Sequence, residues 1–438
     1  MTNADRIKLY EEKKRSIDDA LAFIRSGDIV FTTNNYSEPG GILSRLHEIA
    51  PRVENVKVWK GRSGIYPFMN DPAMKGHIEM YTYFFGPLFY RESQPMGLVD
   101  YVPADLQSYF TTAVAGHKPT VCMTAVAPMD ENGLFRIPMN HVAEGLSIAD
   151  AVERGVPVIV EVNPNLRPAH GAQTIRLEDV AMIVESDRPE LIIPPMQSTE
   201  VEERIGRIVA QLVSDGDTIQ LGIGGIPNAV GGFLRERNDL GIHTEMFTTS
   251  MMELIQSGNI TGAKKSVDKG LHTFSFAEGV LELYPFIAGR EDCIIRPARD
   301  HVDPFTIAKQ DNMTSINTLV EIDLTGQVCA ESIGPKQIAG AGGAFCFAYG
   351  TYRAKGGKSI LAFPSRTKTG QSKIASMLTP GAIVTVPRNY VDIIVTEYGV
   401  ARLRGRTIRE RAQQLIGIAH PNDRVRLTDE ARKLGYLS

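Results

Sequence analysis

Two stretches of this chain repeat one local grammar, and that repetition limits the fold more than any other feature. SGDIVFTTNNYSEPGGI (26–42) and DGDTIQLGIGGIPNAVGG (215–232) align with a one-residue gap, about 188 residues apart. Each follows a capped amphipathic helix. Ser16 and Asp19 open the first, with Ile17, Ala20, Leu21 and Ile24 as its apolar stripe and Gly27 as its stop. Thr199 and Glu202 open the second, with Ile205, Ile208, Val209 and Leu212 as the stripe and Gly216 as the stop. Helix, strand, loop, helix, found twice, predicts an α/β protein of two similarly built open α/β domains in tandem. The segment 186–198, SDRPELIIPPMQS, has three prolines and no periodicity, so the domains are expected at 1–190 and 191–438. A chain of 438 residues is long enough for two such cores.

Further strands are expected at Val56–Trp59, Val121–Ala127, Val158–Val162, Thr318–Leu324, Ser359–Phe363, Ile383–Val386 and Ile393–Thr396. The Asp130–Gly133 turn suggests a hairpin, and a helix is expected from about Thr407 to Ile416.

Charge is nearly balanced, 47 Lys plus Arg against 51 Asp plus Glu, which gives no general attraction to nucleic acid. The amino-terminal MTNADRIKLYEEKKRSIDDA has no apolar core of a secretory signal, and no uncharged apolar run reaches the roughly 18–20 residues that span a bilayer. A cytoplasmic protein without membrane partners is expected. Cys122, Cys293, Cys329 and Cys346 are far apart and read as buried thiols, and no metal-ligand spacing occurs, so no metal is expected.

The second repeat carries glycines that the first lacks. Gly222-Ile223-Gly224-Gly225-Ile226-Pro227 follows a strand, and such a turn aims backbone N–H groups at an anion or a polarised carbonyl. The pattern is GxGGxP where a dinucleotide fingerprint reads GxGxxG, and no ribose-binding carboxylate is evident on a following strand. Gly340-Ala341-Gly342-Gly343 is a second cluster, and Lys355-Gly356-Gly357-Lys358 a basic turn. Together they fit a phosphorylated, elongated ligand. Glu245 is the only acidic residue between Asp239 and Glu253, with His243 beside it. The basic run Arg402–Arg406 is either a solvated face or a holder of ligand phosphates.

Taken together, GIGGIPNAV (222–230), GIHTEMF (241–247), SINTLVEIDLTGQV (315–328), ESIGPKQIAGAGG (331–343), AKGGKSILAFPS (354–365), VPRNYVDIIVTEYGVARLRGRTIRERA (386–412) and IAHP (418–421) resemble the acetyl-CoA hydrolase/transferase family, in its 4-hydroxybutyrate CoA-transferase-like branch. The resemblance covers essentially the whole chain. It implies domains of the CoA-transferase type, coenzyme A as co-substrate, acyl-CoA and short-chain carboxylates as partners, and a homodimer or homotetramer. It places the nucleophile at Glu245, which would carry CoA as a glutamyl thioester. Oxyanion and CoA contacts fall at Gly222, Ile223, Gly224, Gly225, Ile226, Gly340, Gly342, Gly343 and Lys358, and pocket positions at Asn317, Cys346, Arg366 and Glu397. A carboxylate of reference pKa about 4.3 is expected to be ionised at neutral pH without a general base.

Two departures from the family stand out. Where relatives read GGQxDF this chain has Gly342-Gly343-Ala344-Phe345-Cys346-Phe347, and where they read PSTA it has Pro364-Ser365-Arg366-Thr367-Lys368. Losing an acid and gaining cations favours an acceptor with a second negative charge, such as succinate exchanging with itaconate, over butyrate or 4-hydroxybutyrate. The competing readings are a thioester hydrolase on the same site, a nicotinamide oxidoreductase on the glycine loop, and a non-catalytic acyl-CoA sensor.

Overall fold

In the computed structural model, which describes residues 1–61, 64–86, 90–194, 196–222 and 224–438, both repeats begin the same way. Ser16 and Asp19 form the expected capping box on helix α1 (Ile17–Phe23), whose Ala20 and Leu21 are buried. Strand β1 (Ile29–Thr32) follows, then helix α2 (Gly40–Arg45). In the second repeat Thr199 and Glu202 box α3 (Glu200–Leu212), which leads into β8 (Thr218–Leu221) and α4 (Gly225–Phe233). Pro227 falls in the first turn of α4, where no N–H is needed. Gly206 lets α3 approach α4 closely: a Cβ there would stand 2.7 Å from the Cβ of Ala229.

The first unit comprises Met1–Ile193 and Ser275–His301. Its seven-stranded parallel sheet is built from β1, β2 (Val56–Trp59), β3 (Ile78–Thr82), β4 (Val99–Tyr101), β5 (Val121–Val126), β6 (Val158–Val162) and β7 (Met182–Glu185), in the order 4-3-2-1-5-6-7. The second unit comprises Pro194–Phe274 and Val302–Ser438. Its six-stranded sheet contains β8, β9 (Gly241–Ile242), β10 (Met313–Asn317), β11 (Lys358–Ala362), β12 (Ile393–Thr396) and β13 (Gly399–Arg402), in the order 9-8-10-11-12-13. Only β13 runs antiparallel to its neighbour. In both sheets the first strand has its successor on one side and a later strand on the other. Each therefore has a switch point beyond the carboxyl end of that strand, the usual place for a ligand in such sheets.

The chain divides after Ile193, near the expected boundary, but Ser275–His301 packs with the first unit and not with residues 191–438. Long-range contacts draw it there. The Tyr284 ring stacks on Tyr36 with centroids 4.0 Å apart, its hydroxyl donates to the Leu191 carbonyl at 2.6 Å, and the His141 N–H donates to the Ser275 carbonyl at 2.8 Å. No change of composition marks the crossing.

Two strand expectations are corrected. Ile383–Val386 is not a strand: Ile383 and Val384 are exposed, and the Thr385 and Val386 amides share the Val328 carbonyl. The alternating stretch Thr318–Leu324 contains only the short strand Glu321–Asp323, and the sheet strand before it is Met313–Asn317. The Asp130–Gly133 turn forms, but Leu134–Arg136 takes Thr174–Arg176 as its antiparallel partner. Among the described residues no helix is long and apolar enough to cross a membrane.

Candidate active site

The glycine turn leaves β8 at the switch point of the second unit. Gly222 remains part of the sheet, since its N–H donates to the Ile316 carbonyl at 3.0 Å, so this amide is not available to a ligand as the sequence suggested. Ile223 lies outside the described residues. Gly224 has φ +116°, a conformation that glycine adopts at little cost, and turns the chain into α4. Gly225 is needed for a different reason: a Cβ there would stand 2.5 Å from Oε1 of Glu202. The N–H groups of Gly225 and Ile226 lie in the first helical turn, where no helix carbonyl can accept them, and no other acceptor occurs among the described residues.

The first unit treats its equivalent turn differently. There the Gly41 and Ile42 amides donate to the two oxygens of buried Glu161, at 2.9 and 3.0 Å. One copy of the motif is closed by an internal carboxylate; in the other the corresponding amides have no such acceptor among the described residues.

Parallel pairing of Ile219 with Ile242 carries the chain beyond β9 to Glu245 at the same sheet edge as Gly222. The residue is partly exposed, but its Oε2 is buried and without a hydrogen-bond partner among the described residues. Burial pushes the carboxyl up to about 7, with the Gly343 N–H acting in the opposite direction. Burial thus favours the protonated form of Glu245 more than the reference value of a free carboxyl does. Gly343, the N-cap of helix α5 (Ala344–Arg353), is where the second glycine cluster meets it, because the Glu245 carboxylate fills the space a Cβ on Gly343 would take. Val302 and Phe347 flank the same spot, each 3.2 Å from that Cβ position. Gly342, with φ +56°, sets up the turn behind it, and Gly340 is buried in the approach.

Beyond these, the sheet's carboxyl edge collects polar groups. At the end of β10, Asn317 exchanges two hydrogen bonds with Gln220, at 3.1 and 3.0 Å, which fixes both amide planes. After β12, Glu397 accepts from Ser365 twice, from the amide at 2.8 Å and from the hydroxyl at 2.6 Å. Lys373 donates to the Leu319 carbonyl at 3.0 Å; burial pushes its ammonium down to about 8 while Glu397 holds it up. Gln220, Ser365 and Lys373 were missed in the sequence. The available signal was a glutamine inside a strand that is otherwise Thr-Ile-Leu.

Of the remaining sequence candidates, one lies elsewhere and the others are tied or placed differently from the expectation. Lys358 opens β11 at the opposite, amino edge of the sheet, donating to Asp217 Oδ2 at 2.6 Å and the Leu212 carbonyl at 2.9 Å. It is a structural tie: the same oxygen also accepts from Thr314 Oγ1 at 3.0 Å and the Ser214 amide at 2.9 Å. Arg366 is engaged by Asp423, Nε to Oδ2 at 2.7 Å, so its charge is matched within the protein; Lys368 is exposed. Cys346 is buried in α5.

Comparison with known proteins follows this geometry. Residues 279–431 match the acetyl-CoA hydrolase/transferase C-terminal domain. Succinyl-CoA:cyclohexane-1-carboxylate CoA transferase of Geobacter metallireducens is 38% identical, over 98% of this chain and 97% of that protein. The 4-hydroxybutyrate coenzyme A transferase of Clostridium kluyveri is 36% identical, over 97% of this chain and 99% of that one. Among solved structures, RipA from Yersinia pestis superposes with a TM-score of 0.90 at 31% identity, covering 98% of this chain and 99% of RipA.

Proposed function

Because this chain belongs to the acetyl-CoA hydrolase/transferase family and transfers CoA, we propose that it does so by a ping-pong route through Glu245. The ionised carboxylate attacks the thioester carbonyl of an acyl-CoA, forming an acyl-glutamyl anhydride and releasing the CoA thiolate. The thiolate then attacks the glutamyl carbonyl, giving a glutamyl-CoA thioester and the free acyl carboxylate. An incoming carboxylate attacks that thioester and the two steps run in reverse, so the thioester bond is exchanged and not lost to water.

The observation that carries this reading is the placement of Glu245, a carboxylate with a buried, unpartnered Oε2 at the switch point of the sheet. A nucleophile poorly solvated before reaction has little hydration to lose. The Gly225 and Ile226 amides are suited to hold the tetrahedral oxyanion, each such donor being worth about 3–4 kcal/mol of barrier. Asn317 and the Ser365–Glu397 pair supply polar groups for the acyl end.

The acyl donor is proposed as succinyl-CoA, with a short dicarboxylate such as itaconate as acceptor. Lys373, a half-buried cation at the Leu319 carbonyl, fits a second carboxylate. A monocarboxylate such as butyrate or 4-hydroxybutyrate is the second reading, favoured by Asp423 matching the charge of Arg366. The test is incubation with candidate acyl-CoAs and mass spectrometry of the peptide carrying Glu245. A CoA adduct is expected, formed most readily from succinyl-CoA. If no acyl-CoA yields an adduct, the covalent route fails; if butyryl-CoA exceeds succinyl-CoA, the dicarboxylate assignment fails.

A further inference from the structure

We propose that Lys265 is a positioning residue for Glu245, its ammonium clamping the end of β9 to the segment that braces the nucleophile. The assignment rests on Glu245 being that nucleophile. Lys265 is 4% exposed, and its three N–H donors meet three acceptors within the second unit. These are the Ile242 carbonyl at 2.7 Å, the Leu271 carbonyl at 2.8 Å and Thr273 Oγ1 at 3.3 Å. Ile242 ends β9, three positions before Glu245, while Leu271 and Thr273 lead into and occupy the short strand His272–Phe274.

That strand grips the chain on both sides of the nucleophile. Before it, the Thr244 amide donates to the Thr273 carbonyl at 3.1 Å, and the His243 amide donates to the Ile219 carbonyl of β8 at 3.2 Å. After it, the buried Phe247 ring meets the buried Phe274 ring edge-on, with centroids 5.2 Å apart and planes at 67°. The Thr273 hydroxyl also donates to the Ile242 carbonyl at 3.4 Å, so ammonium, hydroxyl and carbonyl close one ring between brace and β9.

The sequence makes room for this arrangement at Gly241. A Cβ there would stand 2.5 Å from Cγ of Lys265 and 3.0 Å from its Cδ, so the lysine stem crosses β9 where a side chain is missing. An ammonium taken out of water is costly unless its hydrogen bonds are met, and here they are met by groups beside the nucleophile. Without it the strand end is free to shift, and a carboxylate that fits against Gly343 in the room of one absent Cβ tolerates little shift. Gln310 offers a contrast. It is also buried and holds the same loop, accepting from the Ser266 and Val267 amides at 3.2 Å each and donating to the Val267 carbonyl at 2.8 Å. None of these bonds reaches β9 or His272–Phe274.

The test follows formation of the CoA adduct on Glu245 by mass spectrometry in the parent protein, Lys265→Met and Gln310→Leu. Succinyl-CoA and, separately, butyryl-CoA are supplied over a range of concentrations, at a temperature below every melting point. Both substitutions are expected to lower the melting temperature. Lys265→Met alone should reduce the maximal rate, about a hundredfold, with the half-saturating acyl-CoA concentration unchanged. An undiminished maximal rate in Lys265→Met, a loss confined to half-saturation, or an equal loss in Gln310→Leu overturns the proposal. Should Lys265→Met not fold, Thr273→Val takes its place, removing one acceptor at nearly constant volume. A lower maximal rate at unchanged half-saturation is then expected, and an unchanged rate overturns the role. The two readings separate cleanly: no adduct in the parent protein removes the thioester and this role with it, whereas an adduct that Lys265→Met forms at full rate removes the role alone.

Discussion

The carboxylate of Glu245 occupies the space that a side chain on Gly343 would need, so the nucleophile and the glycine turn fit only as a pair. Gly343 has φ −96°, and its role is therefore room, not backbone freedom. The sequence showed both residues but gave no reason for one to require the other.

Gly343→Ala is expected to leave the fold nearly intact, because the group it displaces is the end of a flexible side chain. Transfer should fall about a hundredfold or more, since a carboxylate moved by an ångström no longer meets the thioester. Thermal melting and kcat/KM for acyl-CoA, measured together, check this; a loss of melting temperature matching the loss of activity would contradict it.

The Glu245 carboxyl, raised to about 7, gives kcat/KM for acyl-CoA an acidic limb that rises through that pH, since only the ionised form attacks. The stability effect has the opposite sign. Between the unfolded value near 4.5 and about 7 the folded state holds a proton that the unfolded state has released, so stability declines as pH rises across that window. Glu245→Gln should abolish transfer and raise stability by up to about 3 kcal/mol at pH 8, with a much smaller gain at pH 5.5. Urea unfolding at the two pH values checks it.

Lys358→Met should destabilise the second unit by roughly 2–3 kcal/mol, because Asp217 would remain buried without its cation. The affinity for CoA should not change. A tenfold weaker CoA affinity with unaltered stability would restore the ligand role that the KGGK turn suggested.

Lys373→Met removes a partly desolvated ammonium and should cost little stability at pH 7, given that burial already disfavours its charged form. Its effect should fall on choice of acid, lowering kcat/KM for succinate relative to butyrate by about tenfold. Equal losses for the two acids would indicate a role for Lys373 in Glu397 geometry and not in recognition.

Much of the fold and the nucleophile could be read from local signals, because capping boxes, glycine turns and apolar strands are local. What the sequence hid was long-range. Met313–Asn317, a central strand, carries Thr314 and Ser315 on opposite faces, and the buried hydroxyl of Thr314 makes sense only once it is seen bonded to Asp217. Arg366 and Lys358 looked like ligand cations until their acids appeared, 57 and 141 residues away. The raised carboxyl of Glu245 was invisible for the same reason: its cause is burial, and Gly343, whose side-chain space its Oε2 fills, lies far along the chain.

Glu161 gives the duplicated turn a further meaning. In one copy a resident acid quiets the helix terminus permanently; in the other, on the proposed reading, each substrate arrives to perform that service and then departs. A scaffold whose first copy soothes a negative charge from within becomes receptive to foreign ones where its second copy leaves the same amides without that acid.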